Sequence, residues 1–290
     1  MRKRFLISVY TGAAIAMLGL SVSCSSKKPE EPAVATPSLT MSRDRVAIGS
    51  PVKLTYKFVV LPGAKIDGVY WVFVHILDPT GEQLWTDDHL PATPTSTWTP
   101  GQTVEYTRTV FVPNYPYIGE AAIRLGLYSQ TTGRRLTLNG QDASNKEYTV
   151  ASFQMLPQSE NVFLIYKDGW HPAEIAADNA ASEWQWTRKA ATISFKNPRK
   201  DVTFYLDAEG RPDLFTAPQQ VTLKVNGQPF GTFAVETKDQ KLQIFAVTAA
   251  QLGDGDMAEI AIETDRTFVA GAGDTRELGL RVFHAFVEPK

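Results

Sequence analysis

From residue 38 onward, the chain consists of short runs in which apolar and polar residues alternate, and this alternation limits the folds available to it. In one run Val104 and Tyr106 alternate with Glu105 and Thr107. Because successive side chains of a strand point to opposite faces, such a run predicts a half-buried strand. Gly, Pro, Asn and Asp interrupt the runs at intervals of about 8–12 residues, which is typical of all-β sandwiches.

Turn and helix signals refine this prediction. Asn226-Gly227 predicts a type I′ hairpin, since both residues tolerate positive φ. The runs Val69–Leu77 and Leu278–Val287 are apolar on both faces, which predicts central strands. Helical signals are scarce, and residues 248–253, with an N-cap threonine and a closing glycine, predict only one short turn.

The N-terminus has the pattern of a secretion signal. Arg2–Arg4 is cationic and Phe5–Leu20 is uncharged and mainly apolar, at about 16 residues too short for a bilayer span of roughly 20 residues. The single cysteine, Cys24, follows directly. This order resembles the lipobox of bacterial lipoproteins, with Ser21 standing where leucine is usual.

The resemblance implies that residues 1–23 are a cleaved signal peptide. It implies that Cys24 carries a diacylglycerol and an N-acyl chain such as palmitate, which would hold the protein on the membrane. Residues 24–37 are polar and proline-rich and predict a flexible tether. The absence of aspartate after Cys24 favours the outer membrane of the cell envelope. The alternative is an ordinary secreted protein.

The chain divides into two blocks. Its 290 residues suffice for about two domains. The polar stretch Pro157–Asn161 separates the blocks, so we place two tandem β-sandwich domains at 38–157 and 158–290.

The first block is similar to the immunoglobulin-like sandwich that follows the membrane spans of some bacterial mannosyltransferase-type glycosyltransferases. The matching positions are Val74-His75, Asp78, Gly81, Asp88-His89, the turn 94–98, Gly101, Gly126-Leu127-Tyr128 and Gly133. This resemblance concerns the fold and says little about activity.

The second block is similar to galactose-binding-like jelly-roll modules of bacterial envelope glycosyltransferases. These modules end on a phenylalanine near a proline, followed by Asp-x-Arg-x-Leu-Gly. Phe268, Asp274, Arg276, Leu278 and Gly279 match this ending, while Ala270 stands where proline is usual. The resemblance implies a carbohydrate-related module.

Several function classes are excluded by motif or charge. The net charge of −2 and pI of about 6.1 give no basic field for nucleic acid. The sequence has no phosphate-binding loop, dinucleotide fingerprint, H-E-x-x-H or G-x-S-x-G motif. We interpret Asp87-Asp88-His89 as an acidic loop start and His75 as a buried histidine with one partner, and we expect no catalytic centre, metal or cofactor.

One group of residues has the composition of a sugar site, in which an aromatic ring covers the C–H face of a sugar and polar groups bond its hydroxyls. The candidate ligand-binding residues are Trp170, His171, Glu174, Trp184, Trp186 and Arg188. Trp184 and Trp186 fall on one side of an extended strand, a spacing that a core-facing pair would share. Asp274 and Arg276 flank a turn and are expected to form a fixed ion pair.

The sequence therefore predicts a non-catalytic, lipid-anchored envelope protein that binds or organises surface carbohydrate. An alternative is a structural or assembly lipoprotein that binds another envelope protein, which an exposed apolar patch or bare sheet edge would favour. A third reading, a carbohydrate-active enzyme, requires two carboxylates facing each other in a cleft.

Overall fold

The computed structural model describes residues 31–177 and 182–290, and these form an almost entirely β structure. The first ten strands are β1 Ala35–Met41, β2 Arg45–Ala47, β3 Pro51–Val60, β4 Trp71–Leu77, β5 Gln83–Thr86, β6 Thr103–Phe111, β7 Gly119–Tyr128, β8 Arg135–Leu136, β9 Asp142–Ser144 and β10 Glu147–Leu156. The next are β11 Leu164–Tyr166, β12 Glu174–Ile175, β13 Glu183–Trp186, β14 Ala190–Lys196, β15 Val202–Glu209, β16 Gln219–Val225, β17 Gln228–Val235, β18 Lys241–Val247, β19 Met257–Thr264, β20 Phe268–Gly271, β21 Asp274–Leu278 and β22 Arg281–Pro289, with helix α1 at Ala249–Leu252. The predicted all-β class with β-sandwiches is confirmed.

The first ten strands form two sheets around one hydrophobic core. One sheet has the order β1-β3-β6, and the other has the order β2-β10-β7-β4-β5 with β8 and β9 at its margin. The alternating residues of β3, among them Tyr56 and Phe58, are fully buried and face Val74 and Leu125 of the opposite sheet. The alternation read from the sequence thus places one face of each strand in this core.

The first strand corrects the predicted tether. β1 begins at Ala35, inside the range 24–37 expected to be flexible, and Val34, Ala35 and Pro37 are buried. Pro37 obscured the strand in the sequence, because proline removes a ladder donor and is tolerated only at an edge. β1 is the edge strand of its sheet, which accommodates the missing N–H.

The later strands form a second pair of sheets, of order β11-β14-β19-β16-β17 and β12-β13-β22-β15-β18, with the hairpin β20–β21 beside them. Their core includes Phe195, Phe204 and Ile260. The hairpin at Asn226-Gly227 is confirmed, with φ of 49° and 80° at the two residues.

Three further local predictions are confirmed. α1 begins after Thr248, whose side chain forms a capping box with Gln251, and ends at Gly253. β4 lies between β7 and β5, and β22 lies between β13 and β15, so both doubly apolar runs form interior strands.

Residues 33–290 form one compact unit with two separate hydrophobic clusters, one drawn from residues 34–155 and the other from residues 193–287. The predicted boundary near Pro157–Asn161 coincides with a short 3₁₀ turn at Gln158–Glu160. Across the junction, the rings of Phe111 and His284 stack with centroids 4.3 Å apart.

Two predictions on the N-terminus, the signal peptide 1–23 and the lipidation of Cys24, lie outside the described residues. In the part of the chain that the structure describes, no helix is long and apolar enough to cross a bilayer.

Candidate functional site

The outer face of the sheet that contains β13, β22 and β15 carries aromatic side chains where a solvent-facing sheet is ordinarily polar. Trp186 lies directly opposite Arg281, and Arg281 lies opposite Glu209. Residues paired in this way share a face. Trp184 and Phe283 lie on the same face, because the guanidinium of Arg281 contacts both rings. The side chains of β22 between these positions, such as Val282, point into the core.

Four of these side chains form what we call the platform: Trp184, Arg281, Phe283 and Glu209. The guanidinium carbon of Arg281 lies 4.7 Å from the ring centroid of Trp184 and 5.1 Å from that of Phe283. Arg281 Nη2 donates to Glu209 Oε1 at 2.5 Å. A cation held between ring faces and a carboxylate is stabilised by both, so the platform is a rigid, partly exposed surface.

The platform holds two hydrogen-bond donors that the described residues leave unpaired. Trp184 Nε1 and Arg281 Nε are buried and have no partner in the described chain. Both groups can only donate. Burial also raises the pKa of Glu209, against the opposing influence of Arg281. Both donors are therefore enclosed within the platform and are not part of its exposed surface.

The hairpin β20–β21 covers one end of the platform. Phe268 packs edge-on against Trp186, with centroids 5.6 Å apart, which buries Trp186. Arg276 binds Asp274 and, at 2.6 Å, Glu174 of β12. The expected ion pair between Asp274 and Arg276 is confirmed, and it lowers the pKa of Asp274 to about 2.

The structure brings only part of the predicted sugar group together. Trp184 and Trp186 share the outer face. Glu174 instead forms an ion pair with Arg276 of the neighbouring hairpin. Trp170 instead packs against the second core and donates its Nε1 to the carbonyl of Thr192.

The remaining two predicted residues do not join the platform either. His171 is buried, and its Nε2 donates to the carbonyl of Glu277 in the hairpin. Arg188 is exposed, and its backbone N–H donates a hydrogen bond to the carbonyl oxygen of Gly169.

Sequence reasoning missed Arg281, Phe283 and Glu209. In the sequence, β22 is apolar on both faces and β15 shows no unusual pattern. No local sequence pattern indicates that β13 pairs with β22. A signal for Arg281 and Phe283, though not for Glu209, was the arginine within the mainly apolar run Leu278–Val287, whose one other polar side chain is His284.

Asp87-Asp88-His89 lies directly after β5, in agreement with its interpretation as an acidic loop start, and contributes to a second polar cluster inside the first sandwich. The side chains of Asp87 and His89 are only 9% and 5% exposed. Asp87 accepts hydrogen bonds from Tyr56 at 2.9 Å and from two nitrogens of Arg108 at 2.7 and 3.0 Å. His89 pairs with the hydroxyl of Tyr106 at 2.8 Å. The cluster is internally satisfied, which is what a buried polar network requires.

His75, the histidine of β4, lies beside a carboxylate. His75 is half-buried, and its Nδ1 lies 3.1 Å from Glu147 Oε1. Across residues 31–177 and 182–290, no three His, Cys, Asp or Glu side chains gather in a way that could hold a metal ion.

Comparison with known proteins yields no family. No protein-family model matches the chain, and no curated protein matches it. Among solved structures, the chain is similar to a β-glucuronidase of Bacteroides uniformis, at 11% identity and a TM-score of 0.31 over 88% of this chain and 30% of that chain.

It is also similar to the CBM51-2 and INT domains of Clostridium perfringens ZmpB in complex with GlcNAc, at 11% identity and a TM-score of 0.25 over 88% of this chain and 41% of that chain. A third match is the Pseudomonas fluorescens DNA glycosylase AlkC bound to DNA, at 14% identity and a TM-score of 0.28 over 42% of this chain and 30% of that chain. The chain spans less than half the length of each of these proteins. At TM-scores this low, the matches carry no argument about function.

Proposed function

We propose that this protein is a non-catalytic carbohydrate-binding protein of the bacterial cell envelope, held at the outer membrane through lipidated Cys24. The observation that supports binding is the platform, where two aromatic rings and a fixed arginine lie on an outer sheet face. Rings of this kind cover the C–H face of a sugar, and the exposed part of the Arg281 guanidinium bonds its hydroxyl oxygens. Most of the binding energy is expected from Trp184.

The acids near the platform argue for binding without catalysis. Glycoside hydrolysis needs two carboxylates flanking the bond to be cleaved. Glu209 is engaged by Arg281, and both Glu174 and Asp274 are engaged by Arg276. We therefore expect bound oligosaccharide to be recovered intact, with no new reducing ends.

The test is calorimetric titration of the full chain with fractionated envelope polysaccharides. We expect saturable binding that Trp184→Ala weakens by at least about tenfold, since a well-placed aromatic contact contributes about 0.5–1.5 kcal/mol beyond its buried area. Trp184→Phe keeps a ring and should retain part of the affinity. Trp71→Ala is the matched control, because Trp71 is a half-buried tryptophan on β4 of the other sandwich.

Two results would contradict the proposal: full affinity in a folded Trp184→Ala variant, or an equal loss in Trp71→Ala. Binding to no fraction would favour the alternative, an assembly lipoprotein. A specific feature supports that alternative: β11 is the edge strand of its sheet, and next to it Phe163 is 80% exposed. Bare edges with apolar side chains recruit other chains. In that case, cross-linking from Phe163 should identify a protein partner.

A further inference from the structure

A second candidate site lies at the junction of the two sandwiches, away from the platform residues. A cleft of about 430 Å³ opens there between β3 and β6 of the first sandwich and β15 and β22 of the second. Small-molecule pockets typically measure about 300–1,000 Å³, so the cleft has room for a ligand of monosaccharide size.

The side chains of the cleft carry an excess of positive charge. Three cations, Arg43, Lys53 and Lys290, line it together with one carboxylate, that of Glu288. Glu288 is already committed: Arg43 Nη1 binds one of its oxygens, and the hydroxyl of Tyr205 donates to the other at 2.7 Å. The ammonium group of Lys53 is therefore left over, since Lys290, the last residue of the structure, adds a backbone carboxylate as well as an ammonium group.

The two lysines have no acidic partner. Among the described residues, no carboxylate lies within ion-pair distance of the ammonium group of Lys53 or Lys290. Arg43, in contrast, is fixed, because Nη2 also donates to the carbonyl of Pro51. Its Nε is buried without a partner in the described chain. The cleft thus combines an anchored guanidinium with two uncommitted ammonium groups.

Hydroxyl groups complete the lining. Thr109 lies directly opposite Lys53 on the paired strand, and Thr203 faces the cleft from β15. Neither hydroxyl has a hydrogen-bond partner within the described residues, so both are free to bond hydroxyl groups of a ligand.

From these observations we infer that the junction cleft binds an anionic sugar, with Lys53 pairing its charged group beside the fixed guanidinium of Arg43 and the threonine hydroxyls bonding its ring hydroxyls. The charged group is a carboxylate or a phosphate. This site is independent of the platform and stands whether or not the platform binds carbohydrate.

Titration of the full chain at low salt with glucuronate, glucose 6-phosphate, glucose and inorganic phosphate tests the inference. We expect at least one of the two sugar anions to bind saturably, and we expect glucose to bind at least about tenfold more weakly, because it lacks the charge that forms charge-assisted hydrogen bonds in the cleft. The stronger of the two sugar anions identifies the charged group. Affinity should fall as salt is raised.

Lys53→Gln should weaken that binding by about tenfold while Trp184→Ala leaves it unchanged. Lys57→Gln is the matched control, since Lys57 is an exposed lysine on the same face of β3, four residues away and outside the cleft. The inference is overturned if neither sugar anion binds, if inorganic phosphate alone binds as tightly as the sugar anions, or if Lys57→Gln and Lys53→Gln weaken binding equally.

Discussion

His89 is the residue whose surroundings fix its protonation state most clearly. Its Nδ1 lies 2.6 Å from the carbonyl of Asp87, which can only accept, so this nitrogen carries the proton. Nε2 then accepts from the hydroxyl of Tyr106. Burial, assisted by Arg108, lowers the pKa of His89 and outweighs the opposing influence of Asp87 and Asp88. The folded protein therefore holds this ring neutral.

The neutral state of His89 predicts how the stability of the protein depends on pH. Below the ordinary histidine pKa of about 6.5, the unfolded chain takes up a proton at His89 that the folded chain does not, so the free energy of unfolding should fall as the pH decreases from 7 to 5. In His89→Gln, which keeps an acceptor for Tyr106, the decrease should be smaller. Urea unfolding of both proteins at pH 7 and pH 5 measures this. Identical decreases would mean that His89 does not contribute to the acid response.

At the scale of elements, the turn before Trp170 is the most constrained connection. Gly169 has a φ of 84°, and a Cβ at this position would lie 1.9 Å from the carbonyl oxygen of Ala190. The turn thus presses directly on the start of β14. Only glycine satisfies both the positive φ and the close approach.

Gly169→Ala should therefore destabilise the protein by about 3 kcal/mol or more, from the left-handed conformation and the clash together. Gly133→Ala serves as control: Gly133 also has a positive φ, 69°, but nothing lies within 4 Å of its added Cβ. The control should cost only about 1–2 kcal/mol. The midpoints of thermal or urea unfolding compare the two variants, and equal losses would show that backbone conformation alone governs this turn.

Elements also show what could be read from the sequence. The strands, the hairpin at Asn226-Gly227 and the cap at Thr248 depend on neighbours within a few residues, so local patterns predict them. The platform depends on the pairing of β13 with β22, whose sequences are far apart, and no local pattern encodes that register. The start of β1 was missed because the local signal is misleading. Pro37 argues locally against a strand, but the pairing of β1 with β3 overrides that local preference.

For the whole molecule, β1 sets where the folded unit begins. It pairs along the length of β3 and buries Ala35 and Leu39 in the first core. A chain of residues 33–290 should therefore fold and remain monomeric. A chain of residues 42–290 should unfold at lower temperature and associate, because β3 becomes an apolar open edge.

Circular dichroism and size-exclusion chromatography distinguish the two chains. If residues 42–290 prove as stable and as monomeric as residues 33–290, β1 is an accessory strand and the predicted tether extends further than the structure indicates.

The two candidate sites differ in how many sandwiches supply their residues. This difference decides which site can be transferred to another protein. The platform is built from the second sandwich alone, so that module fused to an unrelated carrier should keep its ligand. The junction cleft needs Arg43 and Lys53 from one sandwich and Thr203 and Glu288 from the other. Domain shuffling in evolution or in the laboratory could therefore pass on the first specificity, whereas the second exists only where both modules are inherited together.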